Sequence, residues 1–422
     1  SIFIPKWIIY LGSVAAKIIL GKKSPVDPRY VKTVIGNFSW YDSQKAVKEL
    51  NYQIPPIDDI LAQAIVDARK KALGLNDLFH KRDPQLKRMI YDEDDRLLIT
   101  GFPGWLGNRM IDILMNGDRF GNHAVQRKIR VLVQPHFKGM ISLPENYEIV
   151  YGDIADKESL RNALQNVKAV YHLAGVIYPK NIKSFYRINY EGTKNIVDVC
   201  IEQGIRRILF MGTDSICGYG REKRIFDEHT APQPYKNYGR SKYLAEKYLL
   251  DKTQEGLVDG TSLRGFWFFG PFMPERNKDF FKMFFWKKQI VFGNGKNYRS
   301  ISHVDNIIHA FLKAEQSKNT FGKWYWIGDK KATHTVDDIY NYIASGLGVS
   351  YKPFYVPRWI CECFNMLDST LSIFGKLNAT IHAAGKFHKD IAGDISAAER
   401  DFDYEPMIGF EEIKEELKQS IT

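Results

Sequence analysis

From about residue 96 onward, short apolar runs alternate with longer stretches of helical spacing. Arg96-Leu97-Leu98-Ile99-Thr100 reads as a buried strand, followed by a glycine turn and a helix carrying Met110, Ile111 and Leu114 on one face. Ile129-Arg130-Val131-Leu132-Val133 reads as a second strand, the stretch before Gly152 as a third, and Val170-Tyr171-His172-Leu173 as a fourth. A further buried strand starts at Arg207, and Leu244, Ala245 and Tyr248 mark a helix that opens near Tyr238. Strands alternating with helices bury both faces of a parallel sheet. The pattern predicts an α/β fold: a doubly wound parallel sheet with a smaller mixed substrate-binding region, preceded by a mainly helical N-terminal segment.

An internal repeat sets the domain organisation. Ile4-Pro5-Lys6-Trp7-Ile8 matches Val356-Pro357-Arg358-Trp359-Ile360, and Leu50-Asn51-Tyr52 matches Phe402-Asp403-Tyr404 at the same offset of 352 residues. Residues 1–91 therefore read as the substrate-domain tail of a preceding repeat, and the sequence leaves open whether they belong to a longer tandem protein. Residues 92–262 read as mainly dinucleotide-binding and 263–422 as mainly substrate-binding.

The first chemistry-bearing motif follows the first strand: Thr100-Gly101-Phe102-Pro103-Gly104-Trp105-Leu106-Gly107. Strand, glycine turn and helix in that order suit a dinucleotide. Gly101 permits a tight turn, Gly104 lets the backbone approach a pyrophosphate, and Gly107 lets the helix pack closely. Gln134 stands at the end of the second strand, where an acidic residue would receive the ribose hydroxyls of NAD. With no carboxylate there, and with His136 and Lys138 nearby, NADP is slightly favoured over NAD. Asp153 and Ile154 follow the third strand, placed to bond the adenine edge. Leu173-Ala174-Gly175 ends the fourth in small residues where a dinucleotide would pass.

The second motif is a strand running out into Thr213-Asp214-Ser215, followed by Tyr238-Gly239-Arg240-Ser241-Lys242 at a helix start. Tyr238 and Lys242, four apart, share a helix face. An ammonium beside the phenol would favour phenolate and let the tyrosine act as acid or base near neutral pH.

Residues 95–422 resemble the extended short-chain dehydrogenase/reductase family, with its Rossmann sheet and its epimerase, dehydratase, dihydroflavonol reductase and 3β-hydroxysteroid dehydrogenase branches. The glycine loop, Asp153-Ile154, Leu173-Ala174-Gly175, Asn189-x-x-Gly192-Thr193, Tyr238-x-x-x-Lys242, Leu263-Arg264 and His303-Val304-Asp305 fall in family order. The resemblance implies that Tyr238 relays a proton, that Lys242 holds the nicotinamide ribose and lowers the tyrosine pKa, and that Thr213, with Ser215 as runner-up, orients the substrate oxygen. It places Asn189 with the cofactor-binding residues and Arg299 where sugar-nucleotide enzymes carry a pyrophosphate-binding arginine. The Glu of sugar-nucleotide dehydratases is Ser215 here, which speaks against dehydration. The expected activity is hydride transfer between a nicotinamide and a carbinol carbon. An NAD-retaining nucleotide-sugar epimerase is the alternative, and a non-catalytic dinucleotide-binding scaffold a weaker one.

Composition narrows the partners. The formal charge of +11 is uneven: residues 1–91 hold 15 basic against 8 acidic residues, and the remainder 45 against 41. No basic stripe accompanies the motifs, which argues against nucleic acid. Four cysteines at irregular spacing suit neither a disulfide scaffold nor a zinc site and fit a reducing, cytoplasmic setting. Residues 2–21 are the most apolar window, but Pro5, Lys6 and Lys17 interrupt it. They suit an amphipathic helix packed on protein, with peripheral membrane contact as the second reading. A small-molecule substrate is the expected partner, and a homodimer is the family habit. The aromatic cluster from Phe266 to Trp286 reads either as the wall of an apolar pocket or as core.

Overall fold

The computed structural model describes residues 88–90 and 95–409, apart from 119–123, 146, 180, 221–223, 330–332 and 376–377. The chain divides into two compact units, Ser1–Ile65 and Val66–Thr422, and every described residue belongs to the second. The helical segment expected over 1–91, the first copy of the repeat and the apolar 2–21 stretch lie outside the described residues, save for a strand Arg88–Ile90 that pairs with Ala124–Gln126.

The central sheet has seven strands: β1 (Arg96–Thr100), β2 (Lys128–Val133), β3 (Tyr147–Tyr151), β4 (Ala169–His172), β5 (Arg207–Thr213), β6 (Asp259–Gly265) and β7 (Lys323–Ile327). Their order is β7-β6-β5-β4-β1-β2-β3, and every pairing is parallel. This is the doubly wound sheet that the alternation predicts. The chain runs outward from β1 to β3, then returns to set β4 on the other edge of β1. Such a reversal opens a crevice at the carboxyl ends of the strands, where ligands of this architecture bind.

Both faces are covered, which is why the strands read as unbroken apolar runs. Leu97 and Ile99 point into a layer with Met110, Ile111 and Leu114 of α1 (Trp105–Asn116). Leu98 points the other way, toward Leu160 of α2 (Lys157–Leu164), Ile196 of α3 (Gly192–Glu202) and Ala245 of α4 (Lys236–Gln254). The alternation of side-chain direction along a strand produces this two-sided packing.

Sequence order and space cross near the expected division at 262. β6 runs through it, and α5 (Val304–Gln316) and β7 bring later residues back to the sheet. The rest of the C-terminal part holds two small parallel pairs, Trp267–Phe269 with Ile301–His303 and Gln289–Phe292 with Pro353–Val356. It also holds α6 (Val336–Leu347), α7 (Arg358–Ile373) and α8 (Ala379–Lys386). The aromatic cluster divides three ways: Phe266, Trp267 and Phe268 line a cavity, Phe281 and Phe284 are buried core, and Phe285 and Trp286 are exposed.

The His303-Val304-Asp305 motif finds a structural role. His303 caps α5, its Nδ1 accepting from the Asp305 amide. The buried Asp305 carboxylate takes a two-pronged bond from Arg109 of α1, at 2.7 and 2.6 Å. That fork ties the helix behind the glycine loop to α5, which packs beside it on the same face of the sheet.

Candidate active site

The loop after β1 turns back on itself tightly. Gly101 has φ +92°, and a Cβ there would lie 2.7 Å from the Ala174 nitrogen. A Cβ on Gly104 or Gly107 would lie 2.6 Å from the Gly101 carbonyl oxygen. Crowding within the loop itself therefore already excludes side chains at Gly104 and Gly107, a reason the sequence argument did not include. Gly104 is the N-cap of α1, offers no side-chain cap, and no acidic residue stands in the first turn. The amides at that helix start face the cavity uncapped, a ready cradle for an anion.

Behind the loop runs a buried chain of hydrogen bonds. The Ala174 amide donates to Thr100 Oγ1 at 3.2 Å, and Thr100 Oγ1 meets His172 Nδ1 at 2.8 Å. His172 Nε2 meets Thr193 Oγ1 at 2.8 Å, and Thr193 donates to the Asn189 carbonyl at 2.7 Å. Since the Thr193 proton is committed, His172 Nε2 must donate and Nδ1 must accept, so the ring is neutral with one assigned tautomer. Burial, with Lys242 as the lesser cause, pushes its pKa down to about 3. The Asn189 side chain clamps Val176 through both its amide and its carbonyl, and also donates to Ser241 at 3.1 Å. Thr100 and Asn189 thus hold the cradle from behind.

A cavity of about 560 Å³ opens at the strand ends, a size suited to a sizeable ligand. Its wall includes Gly101, Gly104, Trp105, Leu106 and Gly107 from the loop, Leu173 and Gly175 after β4, Thr213 and Ser215, Tyr238, Lys242 and Arg299. Trp105 also braces the wall, since its indole N–H donates to the Pro271 carbonyl at 2.6 Å and its ring lies against Phe268. Phe102 is buried in the core, and Phe102, Pro103, Ala174, Gln134, Asp153 and Ile154 lie outside the cavity wall. Gln134 is exposed beyond β2. Asp153 accepts from the Ala155 amide at 2.9 Å and lies 3.5 Å from Arg187. Ile154 packs against Gly192.

Tyr238 lies in the first turn of α4, its ring beside Phe185 with centroids 5.9 Å apart. Here one expectation is reversed. Burial pushes the Tyr238 pKa up rather than down, and a hydrogen bond with Thr213 opposes the rise without cancelling it. Lys242 is not among the groups that set this shift. Its own pKa is pushed down to about 7, by burial first, with Glu246 opposing. The Lys242 Nζ lies 4.0 Å from the centre of the Phe210 ring. Desolvation of both groups outweighs the attraction that spacing alone suggests.

The Lys242 value has a testable consequence. Burial lowers it, Glu246 one turn along α4 opposes, and the neighbouring His172 on β4 stays neutral. An anionic ligand favours the ammonium, so its binding raises the Lys242 pKa and takes up a proton at and above pH 7. Affinity for a dinucleotide is therefore expected to fall as pH rises from about 7. Calorimetry in buffers of different ionisation enthalpy checks this: wild type shows proton uptake near pH 8, and Lys242→Met shows none.

Thr213 ends β5, while Ser215 belongs to the short 3₁₀ turn Asp214–Ile216, so the two do not share a strand as the sequence reading supposed. Asp214 Oδ1 accepts from Thr213 at 3.0 Å and from Ser215 at 3.1 Å. Lys386, at the end of α8, reaches the same pair: its Nζ lies 3.1 Å from Ser215 Oγ and 3.4 Å from Asp214 Oδ2. Arg299 sits over the Phe387 ring at 4.8 Å, with a buried Nη1 that has no hydrogen-bond partner. Burial lowers the pKa of both cations, and Asp214 opposes the effect at each. Asp214 and Lys386 escaped the sequence reading. Asp214 was read only as part of a motif, and Lys386 arrives from 172 residues away with no local signal.

A model of the NAD dependent epimerase/dehydratase family matches residues 97–328. The chain belongs to this family. It is an NAD-binding enzyme of the extended short-chain dehydrogenase/reductase type. The uncharacterized protein y4nL of Sinorhizobium fredii is 30% identical over 75% of this chain and 92% of its own length. The human sterol-4-alpha-carboxylate 3-dehydrogenase, decarboxylating, is 26% identical over 81% of this chain and 92% of its own. Among solved structures, a UDP-glucuronic acid 4-epimerase from Bacillus cereus in complex with NAD has a TM-score of 0.58 at 20% identity, covering 77% of this chain and 96% of that one. The last likeness is one of fold.

Proposed function

We propose that this family member is an NAD(P)-dependent oxidoreductase that interconverts a secondary alcohol and a ketone, with Tyr238 as general acid and base. The observation that carries the reading is that Tyr238 and Thr213 line the wall of one cavity that also holds Lys242 and the uncapped start of α1. The loop fits a dinucleotide: Gly101, Gly104 and the amides of Trp105, Leu106 and Gly107 would hold the diphosphate, and Lys242 the nicotinamide ribose. Bound there, the cofactor supplies hydride chemistry. Thr213 holds the substrate oxygen, and Tyr238 gives that oxygen a proton in reduction or takes one in oxidation. Exposed Gln134, with His136 and Lys138 after it, supports acceptance of NADP as well as NAD. Asp153 and Asn189 complete the proposed cofactor set, Asp153 at the rim and Asn189 behind the cradle.

A second reading, an NAD-retaining nucleotide-sugar epimerase, is favoured by the unpartnered Arg299 Nη1 and by Lys386 on the same cavity wall. Both suit a phosphate-bearing substrate. Dehydration has no support, because Ser215 offers no carboxylate to abstract a proton. Denaturing the purified protein and weighing any released dinucleotide separates the two readings. Stoichiometric NAD favours the epimerase, whose hydride returns to the same substrate. Reversible NAD(P)H binding to an empty site favours the oxidoreductase. Arg299→Met is expected to raise KM for an anionic substrate about tenfold or more with kcat nearly unchanged, as for an interaction equal in ground and transition states. A neutral analogue should be indifferent to the change.

A further inference from the structure

Helix α7 is oriented with its polar side inward. Asp368 is buried against Lys236 at 2.7 Å and His382 at 2.9 Å, while the half-exposed Glu362, on the flank of the helix, is neutralised by His388 at 2.9 Å and Lys389 at 3.1 Å. The side away from Asp368 faces solvent, and after Arg358 its one charge is the ion-paired Glu362. Trp359, Met366 and Ile373 recur at helical spacing along it, exposed by 69%, 70% and 82%, with Phe374 at 73% beside them. A helix on a water-facing surface normally shows the reverse pattern. In the strand just before α7, Phe354 is exposed and lies 5.9 Å from the Lys288 ammonium, and Trp286, two residues ahead of Lys288, is exposed too.

We propose that this face of α7 docks on the surface of a lipid bilayer containing anionic lipid. Aromatic side chains interleaved with Lys287, Lys288 and Arg358 have the composition of a bilayer interface, where rings sit at headgroup depth and cations meet lipid phosphate. The complementarity to such a surface is local, resting on the exposed Lys287, Lys288 and Arg358. A second copy fits less well, because two such faces would bring the same cations together. Residues 2–21 carry Lys6 and Lys17, again of like sign. Among the described residues no helix is long and apolar enough to cross a membrane, so the contact is one of lying on the surface. Ser372 and Asp368 of the same helix line the cavity, so the docked helix is also part of the cavity wall.

The molecule carries a natural probe. Cys363 is exposed on α7, while Cys200, Cys217 and Cys361 are buried. A polarity-sensitive maleimide fluorophore should label Cys363 at the rate of a free surface thiol. With vesicles of phosphatidylcholine and phosphatidylglycerol its emission should shift to the blue and become protected from iodide, and with phosphatidylcholine alone much less so. The double variant Ile373→Glu/Phe374→Glu should label equally, unfold at the wild-type temperature and bind those vesicles at least about tenfold more weakly. Slow labelling that speeds up on dilution would overturn the proposal in favour of a second copy. Slow labelling at every concentration would overturn it in favour of cover by this chain's own residues. Fast labelling without a spectral shift would show that lipid is not bound. If the double variant fails to fold, the spectral shift and iodide protection of the labelled wild-type chain decide between these outcomes.

Discussion

Replacing Tyr238 with Phe lowers kcat by about 10²–10⁴ and leaves dinucleotide affinity within about threefold. The change removes one oxygen and keeps the ring against Phe185, so the first turn of α4 stays in place. With its pKa pushed up by burial, the phenol is fully protonated at neutral pH and ready to act as an acid. Reduction should therefore be nearly independent of pH across neutrality. Oxidation needs the deprotonated phenol, so its rate should climb with pH toward that raised pKa. Steady-state kinetics in both directions, with dinucleotide binding followed by fluorescence, tests each part. If the variant keeps more than about a tenth of wild-type kcat, proton relay by Tyr238 is ruled out.

Replacing Arg264 with Leu costs about 3–5 kcal/mol of stability. Arg264 and Glu246 are both buried, joined through Nε at 2.9 Å and Nη2 at 2.5 Å, with Ser262 donating to the same carboxylate at 2.6 Å. The guanidinium also lies 3.5 Å from the centre of the Trp324 ring. Loss of the arginine leaves a buried carboxylate with one hydroxyl for a partner, and that orphaned charge dominates the loss. The midpoint of thermal unfolding should fall by roughly 4–7 °C for a unit of this size. Arg264→Leu/Glu246→Leu should recover most of the drop, since an apolar pair needs no counter-charge. If the double variant melts no higher than the single one, the attribution is wrong. The lone variant should also raise the Lys242 pKa, because Glu246 is the group that opposes its depression.

Local features made much of the sheet legible. Unbroken apolar runs marked strands buried on both sides, and Gly101, Gly104 and Gly107 marked the crossing into α1. Tyr238 and Lys242 were found by spacing on one helix, and Thr213 by its position at a strand end. What spacing could not supply was desolvation, which depends on groups far away in sequence. Lys242 loses its proton easily because burial desolvates the ammonium, and nothing in Tyr-x-x-x-Lys carries that information. Lys386 and Asp214 meet only because α8 folds back over β5. The inversion of α7 was equally hidden, since its pattern is amphipathic and periodicity does not say which side faces water. The repeat over residues 1–91 stays an expectation from sequence.

Tyr238 shares its helical turn with three residues that are bonded elsewhere. Tyr235 donates to Asn365 at 3.0 Å, Lys236 pairs with Asp368, and Asn237 donates to Ser372 at 2.9 Å, all three partners lying on α7. Anyone grafting a different α7 onto this scaffold to change its substrate range would thereby move Tyr238, the proposed general acid. A working chimera must carry Asn365, Asp368 and Ser372 along with the new segment, or turnover will be lost for reasons unrelated to the substrate.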